Sequence, residues 1–168
     1  MLKLWPLNRL IYATWRHVPF PPGMRSRIIR SANDKFLIGV IAVIFDPQGR
    51  VMLVRNTYDP RSDWSLPGGW MGRHEQPDEC VQRELMEETG FEIEVTGLLT
   101  ARTDAKIPAM DLVYGARVVG GGFRPGAEIT AAEFFELDEL PDRLTPGHAR
   151  MARRFQPDCR TALTGGSV

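Results

Sequence analysis

The sequence predicts a layered α/β domain, because strand-like apolar segments are interrupted by two well-separated helical segments. The chain has 168 residues, of which 43% are hydrophobic and 25% charged, as in a single globular domain with a substantial core. Its longest apolar run, residues 36–45, has the length of a strand and is too short to span a membrane. We therefore expect one domain built from layers of sheet and helix.

The first 34 residues are predicted to be an extension in front of this domain. Apolar residues at near-helical spacing predict an amphipathic helix over residues 2–17, and a cluster of prolines with Gly23 ends it. Residues 1–30 carry six basic residues and no acidic one, although the net charge of the whole chain is zero. The helix is expected to pack on its own domain or to form a homodimer interface, and contact with a membrane surface is a third, less favoured interpretation.

Two strands and a turn are predicted next. Residues 36–45 form a nearly continuous apolar segment, which is typical of a strand buried on both faces. The sequence Asp46-Pro47-Gln48-Gly49 has strong turn composition, and residues 50–55 return as a second strand, so the pattern predicts a hairpin. Residues 57–63 are polar and predict a loop.

The later elements alternate in the same way. Pro77 favours the start of a helix over Pro77–Thr89, and Gly90 is placed to end it. Further strands are predicted at residues 91–103, 112–119 and 129–137, with a glycine-rich loop at 120–126 and a basic helix at 146–155. Residues 158–168 are predicted to be a flexible tail.

An acidic segment lies in the middle of the chain. Residues 69–91 contain six acidic and two basic residues. On the predicted helix, Glu87 and Glu88 lie three and four residues after Glu84, so the three carboxylates can share one patch. Such an oxygen-rich patch suits Mg²⁺ or Mn²⁺, whereas the alternative is a helix face that simply contacts water.

The order of residues in this segment resembles the signature of the Nudix hydrolases. From Gly69 to Phe91 it follows the pattern G-x5-E-x7-R-E-L-x-E-E-x-G-F, with all seven fixed polar or glycine positions matched. At a usage of roughly 7% per residue type, seven matches coincide on the order of once in 10^8 starts, so chance is a poor explanation. The resemblance implies the Nudix fold over residues 35–157, a mixed β-sheet sandwiched between α-helices, with an N-terminal helical extension.

The resemblance also implies an activity and a set of site residues. The activity is metal-dependent hydrolysis of the diphosphate linkage in a nucleoside diphosphate linked to another moiety, such as ADP-ribose or a sugar nucleotide. The implied metal ligands are the backbone carbonyl of Gly68 and the side chains of Glu84, Glu87 and Glu88. Arg83 is implied to orient the glutamates, and Glu75 to bind metal or to brace the loop through an arginine. The proton acceptor is Glu84 or Glu87 on the helix, or Glu128 after the glycine-rich loop.

The group attached to the diphosphate must be recognised outside the acidic segment. Arg55 and Arg61 flank the loop before it and are candidates for phosphate contacts, although solvated arginines would look the same. Tyr58 is a candidate for stacking on a base, whereas Trp64 is expected to fill core space. Gly69 would let a substrate approach the backbone closely.

Two further functions stay open from the sequence. One is a pyrophosphatase acting on (d)NTPs or oxidised nucleotides, and the other is a nucleotide-binding regulator without catalysis. A compact acidic cluster in a neutral chain favours a cation, so we expect no nucleic-acid partner. The two cysteines lack metal-ligand spacing, and the start of the chain does not resemble a signal peptide, so we expect a cytoplasmic protein with reduced thiols.

Overall fold

The computed structural model describes residues 21–32, 35–58, 63–103 and 107–164, and the chain divides into two units, residues 1–35 and residues 36–168. In the first unit, helix α1 spans Met24–Ala32, a stretch for which the sequence predicts no helix. The helix predicted over residues 2–17 lies outside the described residues. No helix in the described part of the chain is both long and apolar enough to cross a membrane.

The second unit is built from two sheets and two helices. Its described elements are β1 (Leu37–Ile44), β2 (Val51–Asn56), β3 (Trp64–Ser65), β4 (Gly68–Trp70), α2 (Pro77–Thr89), β5 (Phe91–Thr103), β6 (Ala109–Gly121), β7 (Ile129–Phe135) and α3 (His148–Thr164). Strands β4, β1, β6 and β5 form, in that order, a mixed sheet in which β1 and β6 are parallel. Strands β3, β2 and β7 form a smaller antiparallel sheet.

Strand β1 is buried on both faces and separates two apolar cores. Its even-numbered residues from Val40 onwards pack with Val81 and Leu85 of helix α2. Its odd-numbered residues from Ile41 onwards pack with Phe155 of helix α3. Because successive side chains of a strand point to opposite faces, this arrangement confirms the predicted strand and the predicted sheet between helices.

The predicted hairpin between β1 and β2 is wrong. The turn itself forms, since the Gly49 amide donates to the Asp46 carbonyl at 2.9 Å. Pairing then stops after one bridge between Phe45 and Val51. Both edges of β1 are taken by β4 and β6, so β2 pairs with β3 and β7 in the smaller sheet. Turn composition therefore indicated the chain reversal but not the strand partner.

Helix α2 has the bounds that the sequence predicts, Pro77–Thr89. At its start, the Gln76 amide donates to the Glu79 carboxylate at 3.3 Å. At its end, Gly90 has φ 75°, and its amide donates to the Met86 carbonyl at 3.0 Å. These contacts satisfy backbone groups that a helix end leaves without partners, so the ends of α2 are well defined.

Other boundaries also differ from the prediction. Residues Gly68–Trp70, for which the sequence predicts no strand, form strand β4 because they pair with β1. Strand β6 takes in the first two residues of the predicted glycine-rich loop, which therefore begins at Gly122. Helix α3 continues to Thr164, into the predicted tail at 158–168.

Candidate active site

Strand β4 brings two glycines between β1 and helix α2. Gly68 pairs with Ile41 and Gly69 with Val40 in antiparallel register. A Cβ atom on Gly68 would collide with the Val40 carbonyl, and one on Gly69 would collide with the Glu84 carboxylate. Glycine is therefore required for this close approach, and it brings the backbone of β4 against a carboxylate of the helix.

The guanidinium of Arg83 joins three carboxylates of the acidic segment. Its Nε donates to Glu75 Oε1 at 2.6 Å, its Nη2 to Glu84 Oε1 at 2.8 Å, and its Nη1 to Glu87 Oε2 at 2.9 Å. Hydrogen bonds to Glu75 and then to Glu84 raise the pKa of Arg83 above its usual range. Arg83 is thus a fixed positive charge that holds the side chains of Glu84 and Glu87 in place.

Glu75 braces the loop before the helix. Besides its bonds to Arg83, it accepts a hydrogen bond from the Gly72 amide at 3.0 Å. The hydrogen bonds from Arg83 and then from Gly72 lower the pKa of Glu75 to about 2. Burial and then the hydrogen bond to Glu75 raise the pKa of the Cys80 thiol to about 11. Glu75 is therefore charged and paired at neutral pH, while Cys80 stays protonated.

Glu88 lies in an electrostatic environment opposite to that of Glu75. Burial, followed by the negative charges of Glu84, Glu128 and Glu87, raises the pKa of Glu88 to about 7. Arg83 lowers it only slightly in comparison, because that guanidinium is bonded to other carboxylates. A cluster of four carboxylates with one raised pKa is an environment that a bound cation would stabilise.

Glu128 reaches this cluster from the loop that follows β6. A Cβ atom on Gly126 would lie 3.1 Å from the carbonyl oxygen of Glu88, so the loop passes close to the end of α2. The Glu128 carbonyl accepts a hydrogen bond from the Thr57 amide at 3.0 Å, which ties the loop to the end of β2. The structure thus brings Glu128 together with the helix glutamates, although the two lie far apart in the sequence.

The donor chemistry of this cluster fits a hard divalent cation. Carboxylate oxygens are the ligands that such ions prefer, and the neighbouring strand has no side chain at Gly69 to obstruct one. Among the described residues, no three His, Cys, Asp or Glu side chains are already arranged as a metal centre. Glu84 and Glu87 are instead bonded to Arg83, so a cation here would compete with that guanidinium.

The predicted substrate residues fall in different places. Tyr58 and Gly69 line the same cavity, which has a volume of about 280 Å³. Arg55 is not among the described residues that line it, and its guanidinium lies 3.8 Å from the Asp63 carboxylate. Arg61 lies outside the described residues. The structure therefore brings two of these four residues together.

The sequence did not predict this cavity, whose other walls come from several elements. Its described lining includes Arg102 of β5, Asp111 of β6 and His148 at the start of α3. The buried His148 accepts a hydrogen bond at Nδ1 from the Leu66 amide at 2.9 Å. Burial and then the charge of Arg102 lower the pKa of His148 to about 4. The imidazole is therefore neutral at pH 7 and carries its proton on Nε2.

Trp64 and two adjacent phenylalanines of β7 belong to the cores. Trp64 packs edge-to-face against Phe135 with ring centroids 4.9 Å apart, which confirms the prediction that it fills core space. Phe134 packs in the other core, beneath helix α2. The adjacent phenylalanines therefore face opposite sides of the sheet, as period-two alternation predicts.

Known proteins resemble this chain in both sequence and fold. Residues 35–155 match the model of the NUDIX domain family. A MutT-like protein of Streptomyces ambofaciens is 30% identical over 112 residues, which are 67% of this chain and 71% of that protein. An ADP-ribose pyrophosphatase of Methanocaldococcus jannaschii is 29% identical over 117 residues, which are 67% of this chain and 69% of that protein.

A solved structure agrees with these matches. The crystal structure of an ADP-ribose pyrophosphatase from Streptococcus suis 89-1591 superposes with a TM-score of 0.65 and 26% identity, covering 75% of this chain and 93% of that one. The matches confirm the resemblance, the fold and the enzyme class that the acidic segment predicts. The chain belongs to the Nudix family of hydrolases, pyrophosphatases that act on phosphoanhydride bonds.

Proposed function

We propose that this protein hydrolyses the diphosphate linkage of a nucleoside diphosphate linked to another moiety, such as ADP-ribose or a sugar nucleotide. The observation that carries the proposal is the contact between Gly69 and the Glu84 carboxylate, beside Glu87 and Glu88 on the same helix. It supports a diphosphate site in which a bare backbone strand faces a cluster of carboxylates. Relatives named as ADP-ribose pyrophosphatases support the same type of linkage.

The proposed cofactor is Mg²⁺ or Mn²⁺. Its ligands would be the Gly68 carbonyl and the side chains of Glu84, Glu87 and Glu88. The raised pKa of Glu88 supports this assignment, because it reflects burial and then the negative charge of neighbouring carboxylates, both of which a bound cation would offset. When bound, such an ion lowers the pKa of a water molecule and neutralises charge on phosphoryl oxygens.

For the base that accepts the proton of the attacking water, we favour Glu128 over Glu84 and Glu87. Arg83 donates to one oxygen of Glu84 and one of Glu87. No described residue donates a hydrogen bond to the exposed Glu128 carboxylate, which nevertheless lies near Glu88. Of these three candidates, Glu128 is thus the one that loses no hydrogen bond from a described residue when it takes a proton.

A substrate panel tests the proposal. The protein is incubated with Mg²⁺ or Mn²⁺ and with ADP-ribose, sugar nucleotides, dinucleotides and (d)NTPs, and the products are separated by chromatography. We expect a nucleoside monophosphate from at least one compound of the linked-diphosphate class. The double variant Glu87→Gln plus Glu88→Gln should lose most of this turnover, by about 100-fold or more, because two proposed metal ligands are gone. Asp78→Asn, an exposed acid on the same helix, is the matched control and should keep it.

The same panel separates the other candidate functions. Preferential cleavage of (d)NTPs or oxidised nucleotides would replace the proposal with the second type of pyrophosphatase. Tight nucleotide binding with no product after long incubation would instead indicate a regulator. Unchanged turnover in the double variant would contradict the assignment of the metal ligands.

A further inference from the structure

Four residues stand in one line across the larger sheet. Trp70 of β4 pairs with Gly39 of β1, Gly39 pairs with Asp111 of β6, and Asp111 pairs with Arg102 of β5. Directly paired residues point to the same face of a sheet. Gly39 has the same parity as Ile41, which packs on the side of helix α3. We call these four residues the transverse row.

The transverse row carries an aromatic ring and a carboxylate on either side of Gly39. A Cβ atom on Gly39 would lie 2.8 Å from Asp111 Oδ1 and 3.5 Å from Cζ3 of the Trp70 indole. The missing side chain therefore lets the carboxylate and the indole come close together over β1. The Trp70 side chain is 54% exposed, so its ring is accessible to a ligand.

Arg102 fixes the carboxylate and leaves one of its oxygens on the side of Gly39. Its Nε donates to Asp111 Oδ2 at 3.0 Å, and its Nη2 lies 2.9 Å from the same oxygen. Both contacts are to Oδ2, whereas Oδ1 is the atom that lies against Gly39. The row thus offers a positioned hydrogen-bond acceptor beside an accessible aromatic face.

The cavity extends from the row to the two glycines of β4. All four residues of the transverse row line it, and so do Gly68 and Gly69. His148 lines it as well, and because its Nδ1 accepts a hydrogen bond from the backbone, its Nε2 is a donor. A compound whose diphosphate lies at Gly69 therefore has a flat surface, an acceptor and a donor within one continuous cavity.

We propose that this row is the base-recognition subsite, in which a nucleobase stacks on Trp70 and donates an N–H group to Asp111 Oδ1. The proposal rests on the proposed function, because it takes the group attached to the diphosphate to be a nucleoside. A nucleobase has a flat ring for the indole, an N–H group for the carboxylate and an acceptor for His148. A sugar without a base has hydroxyl groups but no flat face.

Binding of nucleoside monophosphates tests this subsite without any cleavage step. Isothermal titration calorimetry of the full-length protein would compare AMP, GMP, CMP and UMP with ribose 5-phosphate, which has no base. We expect at least one nucleotide to bind more tightly than ribose 5-phosphate. Trp70→Ala should weaken that nucleotide by about 5- to 100-fold, the range expected for losing one base-stacking contact, and leave ribose 5-phosphate unchanged.

Three more variants make the result specific. Trp70→Phe keeps a flat ring and should restore most of the affinity. Asp111→Asn should weaken nucleotide binding by a factor that depends on the base, again without an effect on ribose 5-phosphate. Leu98→Ala removes an apolar side chain of matched exposure, 55%, outside the described lining of the cavity, and should change nothing. Thermal melting of each variant checks that it is folded.

The proposal is overturned if no nucleotide binds better than ribose 5-phosphate, or if the preference survives Trp70→Ala. Equal weakening of ribose 5-phosphate would also overturn it, because the effect would then not concern the base. Unchanged affinities in Asp111→Asn would remove Asp111 from the subsite. Since these measurements need no hydrolysis, they stand apart from the substrate panel, and either proposal can fail while the other holds.

Discussion

The loop before helix α2 and the last turn of that helix hold carboxylates in opposite electrostatic environments. Glu75, in the loop, accepts hydrogen bonds from Arg83 and Gly72, and its pKa is lowered to about 2. Glu88, in the last turn, is partly buried near three other glutamates, and its pKa is raised to about 7. Both belong to the Nudix signature, yet one has its positive partner within the protein and the other does not.

The two carboxylates therefore differ in their roles within one motif, since Glu75 positions Arg83 and Glu88 is a proposed metal ligand. Arg83 is bonded to Glu75, Glu84 and Glu87, so its charge is already shared when it acts on Glu88. Glu88 is thus the carboxylate with the most to gain from an external cation. We therefore expect substitutions of Glu75 and of Glu88 to change activity in different ways.

Glu88→Gln should have the largest effect. We expect kcat/KM for the best substrate to fall by about 100-fold or more at saturating Mg²⁺, because a proposed metal ligand loses its charge. The cation-free variant should melt no lower than wild type, since the substitution also removes like-charge repulsion. Steady-state kinetics and thermal melting in EDTA measure the two effects. Glu139→Gln, an exposed acid outside the cluster, is the control. Full activity of Glu88→Gln would show that Glu88 does not bind the cation.

Glu75→Gln should have a smaller effect of a different kind. It leaves the proposed metal ligands in place but weakens the contacts that fix Arg83. Losses of about 10- to 100-fold in activity or metal affinity are typical when such supporting residues are removed. Titration of activity with Mg²⁺ should show a higher concentration at half-maximal rate. Asp78→Asn is the matched control, and unchanged Mg²⁺ dependence in Glu75→Gln would mean that the brace is not needed for the site.

The helix with its glutamates could be predicted because it is specified locally. Glu84, Glu87 and Glu88 reach one patch through spacing within a single helix, and Pro77 and Gly90 mark its ends by their own backbone preferences. The burial of β1 on both faces was predictable for the same reason, since a nearly continuous apolar run is typical of a strand that lies between two cores.

The base-recognition subsite could not be predicted, because strand pairing creates it. Trp70, Gly39, Asp111 and Arg102 come from four strands and meet only through their register. The wrong hairpin has the same origin, since the partner of β2 depends on which edges of β1 are already occupied. Local sequence favours an element and its ends, whereas the competition among strands decides which elements become neighbours.

The pH dependence of stability should distinguish the two carboxylates without any substrate. The pKa of Glu88 is about 7 in the folded protein, above the ordinary 4.5. Its contribution to stability is therefore fully present below pH 4.5 and is lost as the pH rises through 7. The pKa of Glu75 is about 2, below 4.5, so its contribution is present above pH 4.5 and is lost as the pH falls through 2.

The smallest predicted effect is the loss of stability between pH 5 and pH 8 in cation-free protein. The unfolding free energy of wild type minus that of Glu88→Gln should fall by on the order of 1–2 kcal/mol over this pH range. The full shift in the pKa of Glu88 would give a larger fall, but water screens this side chain because it is only partly buried. A difference between the two proteins is needed because His148, with a pKa of about 4 in place of 6.5, makes stability rise with pH below 6.5. Urea unfolding in EDTA measures the difference, and saturating Mg²⁺ should reverse its fall, since a bound cation favours the charged form of Glu88. A difference that stays flat across this range in EDTA would mean that Glu88 already has a positive partner, and the contrast between the two ends of helix α2 would not hold.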